Sequence, residues 1–232
     1  MNLLTFTSTQ AGPSTLAEAV RVAARHGQRP AITALTSSGR YEQSYVSLAQ
    51  WAAKGAHFLQ SDLGCESGTR LAVCSRVSWH TTAIVLGAWW VGIEVSTDPS
   101  DAAVVIVSDD TMPSVPHTYM FSVGDAIDGA PVEPFGIPAW TQEVRLFPDT
   151  PPPATCTPES VALRDNTGYF THADLVARSD NDGIIGCDVT DRISTKTLFD
   201  VAARPMLTGK RTVIIDRVSR AVADAERVNV WR

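Results

Sequence analysis

The chain has 232 residues, of which 44% are hydrophobic and 19% are charged, and its formal net charge is -6. This composition supports a sizeable buried core and excludes an intrinsically disordered chain. The lysines and arginines form no basic stripe along the sequence, so we expect no nucleic-acid partner.

The four cysteines are Cys65, Cys74, Cys156 and Cys187. They include no Cys-x-x-Cys pair, and no histidine lies close enough to complete a zinc pattern. We therefore expect buried or half-buried thiols and no metal. The N-terminus has no positive charge ahead of an apolar run, and the longest apolar run, residues 82–91, is too short to span a bilayer. We expect a cytoplasmic protein that does not enter a membrane.

The first part of the chain predicts two helices separated by a hairpin. Residues 15–27 have the capping-box start and the apolar side of a helix. Residues 30–35 and 41–46 are strand candidates on either side of a Ser-Ser-Gly turn. A second helix is predicted to begin with Ser47 as its cap and to end near residue 64.

Residues 68–95 predict a strand, a helix and a second strand. The helix, at about residues 78–90, is apolar over most of its surface. A helix that is apolar nearly all round must be buried on most sides. This unit therefore indicates the core of a parallel sheet covered by helices.

The rest of the chain predicts further strands and helices around a proline-rich, extended connector at residues 148–158. Strands are predicted at 102–107, 118–123, 160–163, 192–195 and 211–215, a strand or turn near 169–170, and helices at 138–147, from 171 onward, at 198–207 and at 218–228. Pro205 is expected to shorten its helix. The fold expected for residues 1–232 is a single α/β domain, with a mainly parallel sheet, helices on both faces and a small hairpin near the N-terminus.

Several short motifs stand in a characteristic order, at residues 31–32, 45–48, 64, 68–73, 86–92, 170–176 and 207–215. In this order they resemble the N-terminal part of the adenylate-forming superfamily, which comprises acyl-CoA synthetases, peptide-synthetase adenylation domains and luciferases. One departure is Thr69, where that superfamily usually has Asp. The resemblance implies the same α/β scaffold and, for a complete member, ATP-dependent adenylation.

The segment that corresponds to the superfamily's phosphate loop departs from its pattern. The superfamily has a Ser/Thr/Gly-rich loop ending in Pro-Lys-Gly just before Thr-His, and this loop holds the ATP phosphates. The candidates for a degenerate loop in this chain are Arg164, Asp165, Asn166, Thr167 and Gly168, followed by Thr171 and His172 at a helix start. The segment is shorter and has no lysine, and Asp165 places a negative charge near the expected phosphate position.

Two interpretations of this segment remain open. One is an ordinary Asx-type turn between a strand and a helix, with His172 as a histidine without a chemical role. The other is a residual nucleotide- or acyl-binding site with a limited activity, in which Asp165 orients His172 as an acid–base group. We expect no catalytic residue, no metal and no cofactor, with ATP or AMP as the alternative ligand.

The resemblance also sets expectations for function and partners. The superfamily's adenine-binding and Mg-binding segments and its mobile C-terminal domain lie beyond the point that corresponds to residue 232, so we expect a truncated chain without adenylation activity. We hypothesise a degenerate acyl-CoA synthetase-like protein, a pseudoenzyme that acts as a binding or interaction module. The superfamily's elements normally pack on a second subdomain, so we expect an apolar face that a second copy or a protein partner covers.

Overall fold

The computed structural model describes residues 12–36, 39–108, 113, 115, 118–123, 136–178, 183–188, 193–215 and 220–231. The strands are β1 (Pro30–Thr36), β2 (Gly39–Ser44), β3 (Arg70–Cys74), β4 (Glu94–Ser96), β5 (Val104–Val107), β6 (Tyr119–Ser122), β7 (Val161–Asp165), β8 (Gly168–Thr171), β9 (Ile185–Asp188), β10 (Thr212–Ile215) and β11 (Val230–Trp231). The helices are α1 (Leu16–Ala23), α2 (Tyr45–His57), α3 (Trp79–Trp90), α4 (Trp140–Val144), α5 (His172–Ala177), α6 (Thr195–Leu198), α7 (Arg204–Thr208) and α8 (Arg220–Ala225). Within these described ranges, no helix is both long and apolar enough to cross a membrane.

The strands of the described residues form two sheets, whereas the sequence predicted one. The first sheet has the order β11-β9-β10-β1-β2, and the second has the order β6-β5-β3-β4-β7-β8. Neighbouring strands are parallel except in two hairpins, β1–β2 and β7–β8, whose second strands lie at sheet edges. The α/β class and the mainly parallel pairing are confirmed. The single sheet was wrong because β1 pairs with β10, far along the chain, and not with the strands of the 68–95 unit.

One large hydrophobic cluster connects helices with both sheets. It contains Leu48 of α2, Ile32 of β1 and Leu71 of β3, all almost fully buried. A smaller cluster, which includes Ala72 and Val105, lies on the opposite face of the six-stranded sheet. Because successive side chains of a strand point to opposite faces, Leu71 and Ala72 belong to different layers of the core.

The strand–helix–strand unit predicted at residues 68–95 is confirmed. β3 and β4 are parallel neighbours, and every residue of α3 is buried. Ser78 caps α3, because its hydroxyl accepts the N–H of Thr81 at 3.1 Å. Gly87 lies against α2, where an added Cβ would come within 2.6 Å of the carbonyl oxygen of Ala52. The close packing of α3 on α2 therefore requires a glycine at this position.

Two predicted boundaries around helices were wrong. α2 begins at Tyr45, and its cap is Ser44, whose hydroxyl accepts the N–H of Ser47 at 3.2 Å. The predicted strand at 192–195 is absent from its described part, residues 193–195, where Ser194 instead caps α6 by accepting the N–H of Thr197. In both places a serine hydroxyl satisfies a free N–H of a first helical turn, which favours a helix start.

Pro205 does not shorten its helix, contrary to the prediction. A π-helical turn over Phe199–Ala203 joins α6 to α7, and Pro205 stands in the first turn of α7. The preceding π-helical turn departs from the i→i−4 bonding that a proline interrupts, so the segment accommodates the missing N–H of Pro205. The helical segment therefore continues from Thr195 and ends at Gly209, which has a left-handed backbone with φ 66°.

The proline-rich connector and the residues just before it are fixed on the surface of α2 and α3. Lys54 of α2 donates to the carbonyl oxygens of Arg145, at 3.2 Å, and Phe147, at 2.7 Å. The indole Nε1 of Trp90 in α3 donates to the carbonyl oxygen of Pro152 at 2.7 Å. The extended segment is thus held through its backbone oxygens, and it leads the chain to β7, the strand that enters the candidate site.

Candidate functional site

The segment expected in place of a phosphate loop is a tight hairpin turn. β7 ends at Asp165 and β8 begins at Gly168, so only Asn166 and Thr167 connect the two strands. Asp at the first position and Gly at the fourth are typical of a type I turn. The Asp165 side chain accepts the N–H of Thr167, two residues on, which is the geometry of an Asx turn.

One carboxylate oxygen of Asp165 accepts three hydrogen bonds within this turn. Oδ1 accepts the N–H of Thr167 at 2.8 Å, its hydroxyl at 2.6 Å and the N–H of Gly168 at 3.1 Å. The hydrogen bond from the Thr167 hydroxyl, and to a smaller extent the one from the Thr167 N–H, stabilises the ionised carboxylate. These bonds hold the pKa of Asp165 below its usual range. The donors that would face a bound phosphate are therefore directed at a side chain of the turn itself.

Arg164 precedes this turn, and its charge is already paired. Its Nε lies 2.9 Å from Oε2 of Glu94 on β4, and its guanidinium lies 5.7 Å from the ring centroid of Tyr169 on β8. The same Glu94 oxygen lies 3.6 Å from Nε of Arg70 on β3. The arrangement forms a ladder of alternating charges across neighbouring strands, which leaves Arg164 less able to compensate for a bound phosphate.

Thr171 and His172 lie at the other end of β8, where α5 begins, and they have structural contacts. Thr171 caps α5 in a reciprocal capping box with Asp174. His172 is fully buried, and its Nδ1 accepts the backbone N–H of Leu16 at 3.2 Å. Asp165 was expected to orient His172, but the imidazole bonds to Leu16 and the carboxylate bonds to Thr167 instead.

The buried environment keeps His172 uncharged at neutral pH. Because Nδ1 accepts an N–H, the proton of the neutral ring resides on Nε2, which has no hydrogen-bond partner among the described residues. Burial lowers the pKa of His172 from 6.5 to about 4. The ring does not line either cavity described below.

Two neighbouring cavities adjoin the hairpin turn. The first, of about 620 Å³, has the apolar side chains of Leu163, Phe170, Leu175 and Phe199 in its wall, and we call it the apolar cavity. The second, of about 580 Å³, is the polar cavity, lined by Arg70, Ser96, Thr97, Asp98, Asp101, Arg164, Asp165, Asn166, Ile193, Ser194, Thr195 and Lys196. Asp165, Thr195 and Lys196 line both, so the cavities are parts of one groove. In the described part of the chain, no group of three or more His, Cys, Asp or Glu is placed to hold a metal ion.

A buried ion pair forms part of the wall of the apolar cavity. Oδ1 of Asp200 lies 3.0 Å from Nε of Arg204, and both side chains are almost completely buried. Oδ2 of Asp200 lies 2.9 Å from Nζ of Lys196, whose side chain is 61% exposed. These residues are not among the site candidates predicted from the sequence. A signal existed, because Asp200 interrupts an apolar helical run and has basic residues at i−4 and i+4.

The predicted site residues are thus only partly brought together. Arg164, Asp165 and Asn166 line the polar cavity, and Thr167 and Gly168 complete the turn beside it. His172 is directed towards the start of α1, whereas the side chain of Thr171 caps α5 in an exposed contact with Asp174. The other wall of the groove is formed by α6 and the π-helical turn that follows it. The contact of these elements with β7 was not predicted from the sequence.

This fold is similar to that of the N-terminal part of acyl-CoA synthetases. The acyl-CoA synthetase of Brucella canis superposes with a TM-score of 0.73 at 14% identity, over 93% of this chain and 46% of that chain. MatB from Rhodopseudomonas palustris gives a TM-score of 0.67 at 15% identity, over 94% of this chain and 48% of that chain. The N-terminal domain of FACL13 from Mycobacterium tuberculosis gives a TM-score of 0.66 at 14% identity, over 92% and 61% respectively.

A sequence relative matches part of the chain. A "TIGR03089 family protein" of Mycobacterium tuberculosis is 32% identical over 101 residues, which are 43% of this chain and 42% of that protein. No protein-family model matches the chain. The chain therefore spans less than half the length of this curated relative and of the Brucella enzyme. The resemblance to the superfamily's N-terminal region is confirmed at the level of the fold.

Proposed function

We propose that this chain is a non-adenylating binding module built on the acyl-CoA synthetase fold. The observation that carries the proposal is the Asp165 side chain, which receives the two backbone N–H groups and the hydroxyl of the β7–β8 turn. A phosphate would have to displace a carboxylate from donors that it already occupies. This exchange is unfavourable, because the displaced charge would remain beside the phosphate.

The charges of the polar cavity support the same proposal. Its lining has three basic side chains, Arg70, Arg164 and Lys196, and three acidic ones, Asp98, Asp101 and Asp165. A site for a nucleoside triphosphate needs an excess of positive charge or of free N–H donors. The polar cavity has a balanced charge, which suits a neutral or weakly charged polar group better than a polyphosphate.

The apolar cavity indicates what such a module binds. A cavity of about 620 Å³ whose wall combines aromatic and aliphatic side chains with charged ones is of the size of small-molecule sites. We therefore propose a small amphiphilic ligand whose apolar part contacts Phe170, Leu175 and Phe199. Its polar part would lie towards Lys196, which lines both cavities.

The alternative is a residual acyl-binding enzyme with limited activity, and the same cavity favours it. Calorimetric titrations with Mg-ATP and with octanoate, and an assay for octanoyl-adenylate, separate the two. The proposal expects no heat with Mg-ATP, measurable octanoate binding and no adenylate. Saturable Mg-ATP binding would contradict the proposal, and adenylate formation would establish the enzyme instead.

A pair of substitutions on α5 locates the ligand. Ala177 lines the apolar cavity, and Ala173 is exposed on the same helix but does not line it. Ala177→Trp should fill the cavity and abolish octanoate binding, whereas Ala173→Trp should bind octanoate as the unmodified chain does. Equal binding by both variants would place octanoate outside the groove.

A further inference from the structure

The β7–β8 turn is an exposed Asx turn whose donors point to one place. Three donors converge on one oxygen, Oδ1 of Asp165, at 2.6 Å from the hydroxyl of Thr167, 2.8 Å from its N–H and 3.1 Å from the N–H of Gly168. Consecutive backbone N–H groups that point to one place bind anions without help from a lysine. The short distances to the hydroxyl and to the N–H of Thr167 are those of charge-assisted hydrogen bonds.

The position of this turn connects it with the groove. Asp165 is in the wall of both the apolar and the polar cavity, so its carboxylate stands where the two meet. The basic side chains of Arg164 and Lys196 also line the polar cavity. The polar cavity is lined by three basic and three acidic side chains. Removal of the Asp165 carboxylate would leave three basic and two acidic ones.

We propose that the β7–β8 turn is a binding site for a single oxyanion oxygen, and that the chain fills this site with its own Asp165 carboxylate. Asp165 is then the residue that determines the anion selectivity of the groove. The inference rests on the proposed non-adenylating function. It also explains why the turn would bind no phosphate, since its donors are present but are occupied by Asp165. A small oxyanion such as formate should bind there once the carboxylate is removed.

Chemical rescue of an Asp165 variant tests this site. Asp165→Ala removes the acceptor and leaves the three donors, so formate should occupy the vacated position and shift the amide NMR signals of Thr167 and Gly168 in a saturable manner. The melting temperature of this variant should also rise, by about 3 °C at ten times the dissociation constant of formate. Chloride at equal ionic strength serves as the reference for salt effects.

Asp165→Asn is the matched control. The asparagine oxygen accepts the same hydrogen bonds without the charge, so formate should leave the Thr167 and Gly168 signals unchanged. The double variant Asp165→Ala, Thr167→Val loses the hydroxyl donor and should bind formate several-fold more weakly than Asp165→Ala. Formate shifts that are equal in all variants, or absent from Asp165→Ala, would overturn the proposal.

A second measurement covers the case in which Asp165→Ala does not fold. In the unmodified chain, the amide signals of Thr167 and Gly168 should titrate together as Asp165 is protonated, below the usual pH range of an aspartate. Amide signals that do not change in this titration would contradict the convergence of donors on the carboxylate. Neither result depends on Mg-ATP binding, so failure of this inference and failure of the proposed function are separate outcomes.

Discussion

The backbone N–H of Leu16 donates to Nδ1 of His172 at 3.2 Å, and this buried contact joins residues that are 156 positions apart. It satisfies one of the free N–H groups in the first turn of α1, with the side chain of Thr15 satisfying another by accepting the N–H of Glu18. A histidine at the start of α5 thus acts as a helix-capping group for a different helix.

The burial of His172 predicts an acid-sensitive stability. The folded chain holds the pKa of His172 at about 4, below the 6.5 of an unperturbed histidine. As the pH falls below 6.5 the unfolded chain binds the proton first, so stability is retained above pH 6.5 and is lost between pH 6.5 and 4. The loss from this residue should reach about 3 kcal/mol.

Urea unfolding at several pH values measures this loss. His172→Gln should remove the part of the pH dependence that belongs to His172, since the amide does not titrate in this range. His57→Gln is the control, because the His57 ring lies in an exposed contact, 2.9 Å from the carbonyl oxygen of Thr150 in the connector. An identical pH dependence in the unmodified chain and in His172→Gln would contradict the prediction.

Close packing of α3 on α2 makes Gly87 sensitive to the smallest substitution. Gly87→Ala should lower the free energy of unfolding by about 3 kcal/mol, because the added methyl meets the rigid carbonyl of Ala52 at 2.6 Å. In Gly55→Ala the added methyl meets a side chain instead, the ring of Trp140 at 3.1 Å, and alanine is the better helix former. The unfolding midpoints of the two variants should therefore differ clearly, and equal midpoints would refute the steric argument.

The attachment of the connector depends on Lys54. Lys54→Met should release the backbone around Phe147, because two carbonyl oxygens lose their donor, at a cost of about 1–3 kcal/mol. Amide hydrogen exchange in residues 145–152 should become faster. Asp149→Asn removes only the ion pair with Lys54, and since the Asp149 side chain is 54% exposed its effect should stay below about 1 kcal/mol. Exchange that is unchanged in Lys54→Met would show that other contacts hold the connector.

The ion pair in the groove wall should be costly to break on one side. Asp200→Ala leaves the guanidinium of Arg204, only 7% exposed, without this partner, and it should destabilise the chain by about 3–5 kcal/mol. Lys196→Ala removes the exposed partner of the same carboxylate and should cost less than about 1 kcal/mol. Thermal unfolding of the two variants checks this order, which would be reversed if the exposed pair carried the stability.

Local patterns in the sequence predicted the elements whose signals are local. The apolar helix at residues 79–90 and the turn after Asp165 follow from side-chain periodicity and from turn chemistry. The division into two sheets does not, because the pairing of β1 with β10 leaves no local pattern. β9 was missed because it has four residues, with Gly186 among them, and offers too short a run for alternation.

The candidate site likewise has one part that local sequence predicts and another that depends on tertiary packing. The hairpin turn could be predicted, since Asp165 and its donors are neighbours in sequence. The second wall of the groove could not, because Lys196 and Phe199 reach β7 only through the packing of α6. The partner of His172 is likewise a consequence of tertiary packing, and no spacing within the sequence connects residue 172 with Leu16.

The pairing of β1 with β10 determines when the two sheets can form during synthesis. Every strand of the six-stranded sheet lies between Arg70 and Thr171, so that sheet has all its strands once residue 171 has been made. The five-stranded sheet instead keeps one edge of β1 open until the strand beginning at Thr212 arrives. An exposed strand edge is a template for pairing with other chains. The ribosome-bound chain therefore carries an aggregation-prone edge for most of its synthesis, and only β2 protects the opposite side of β1.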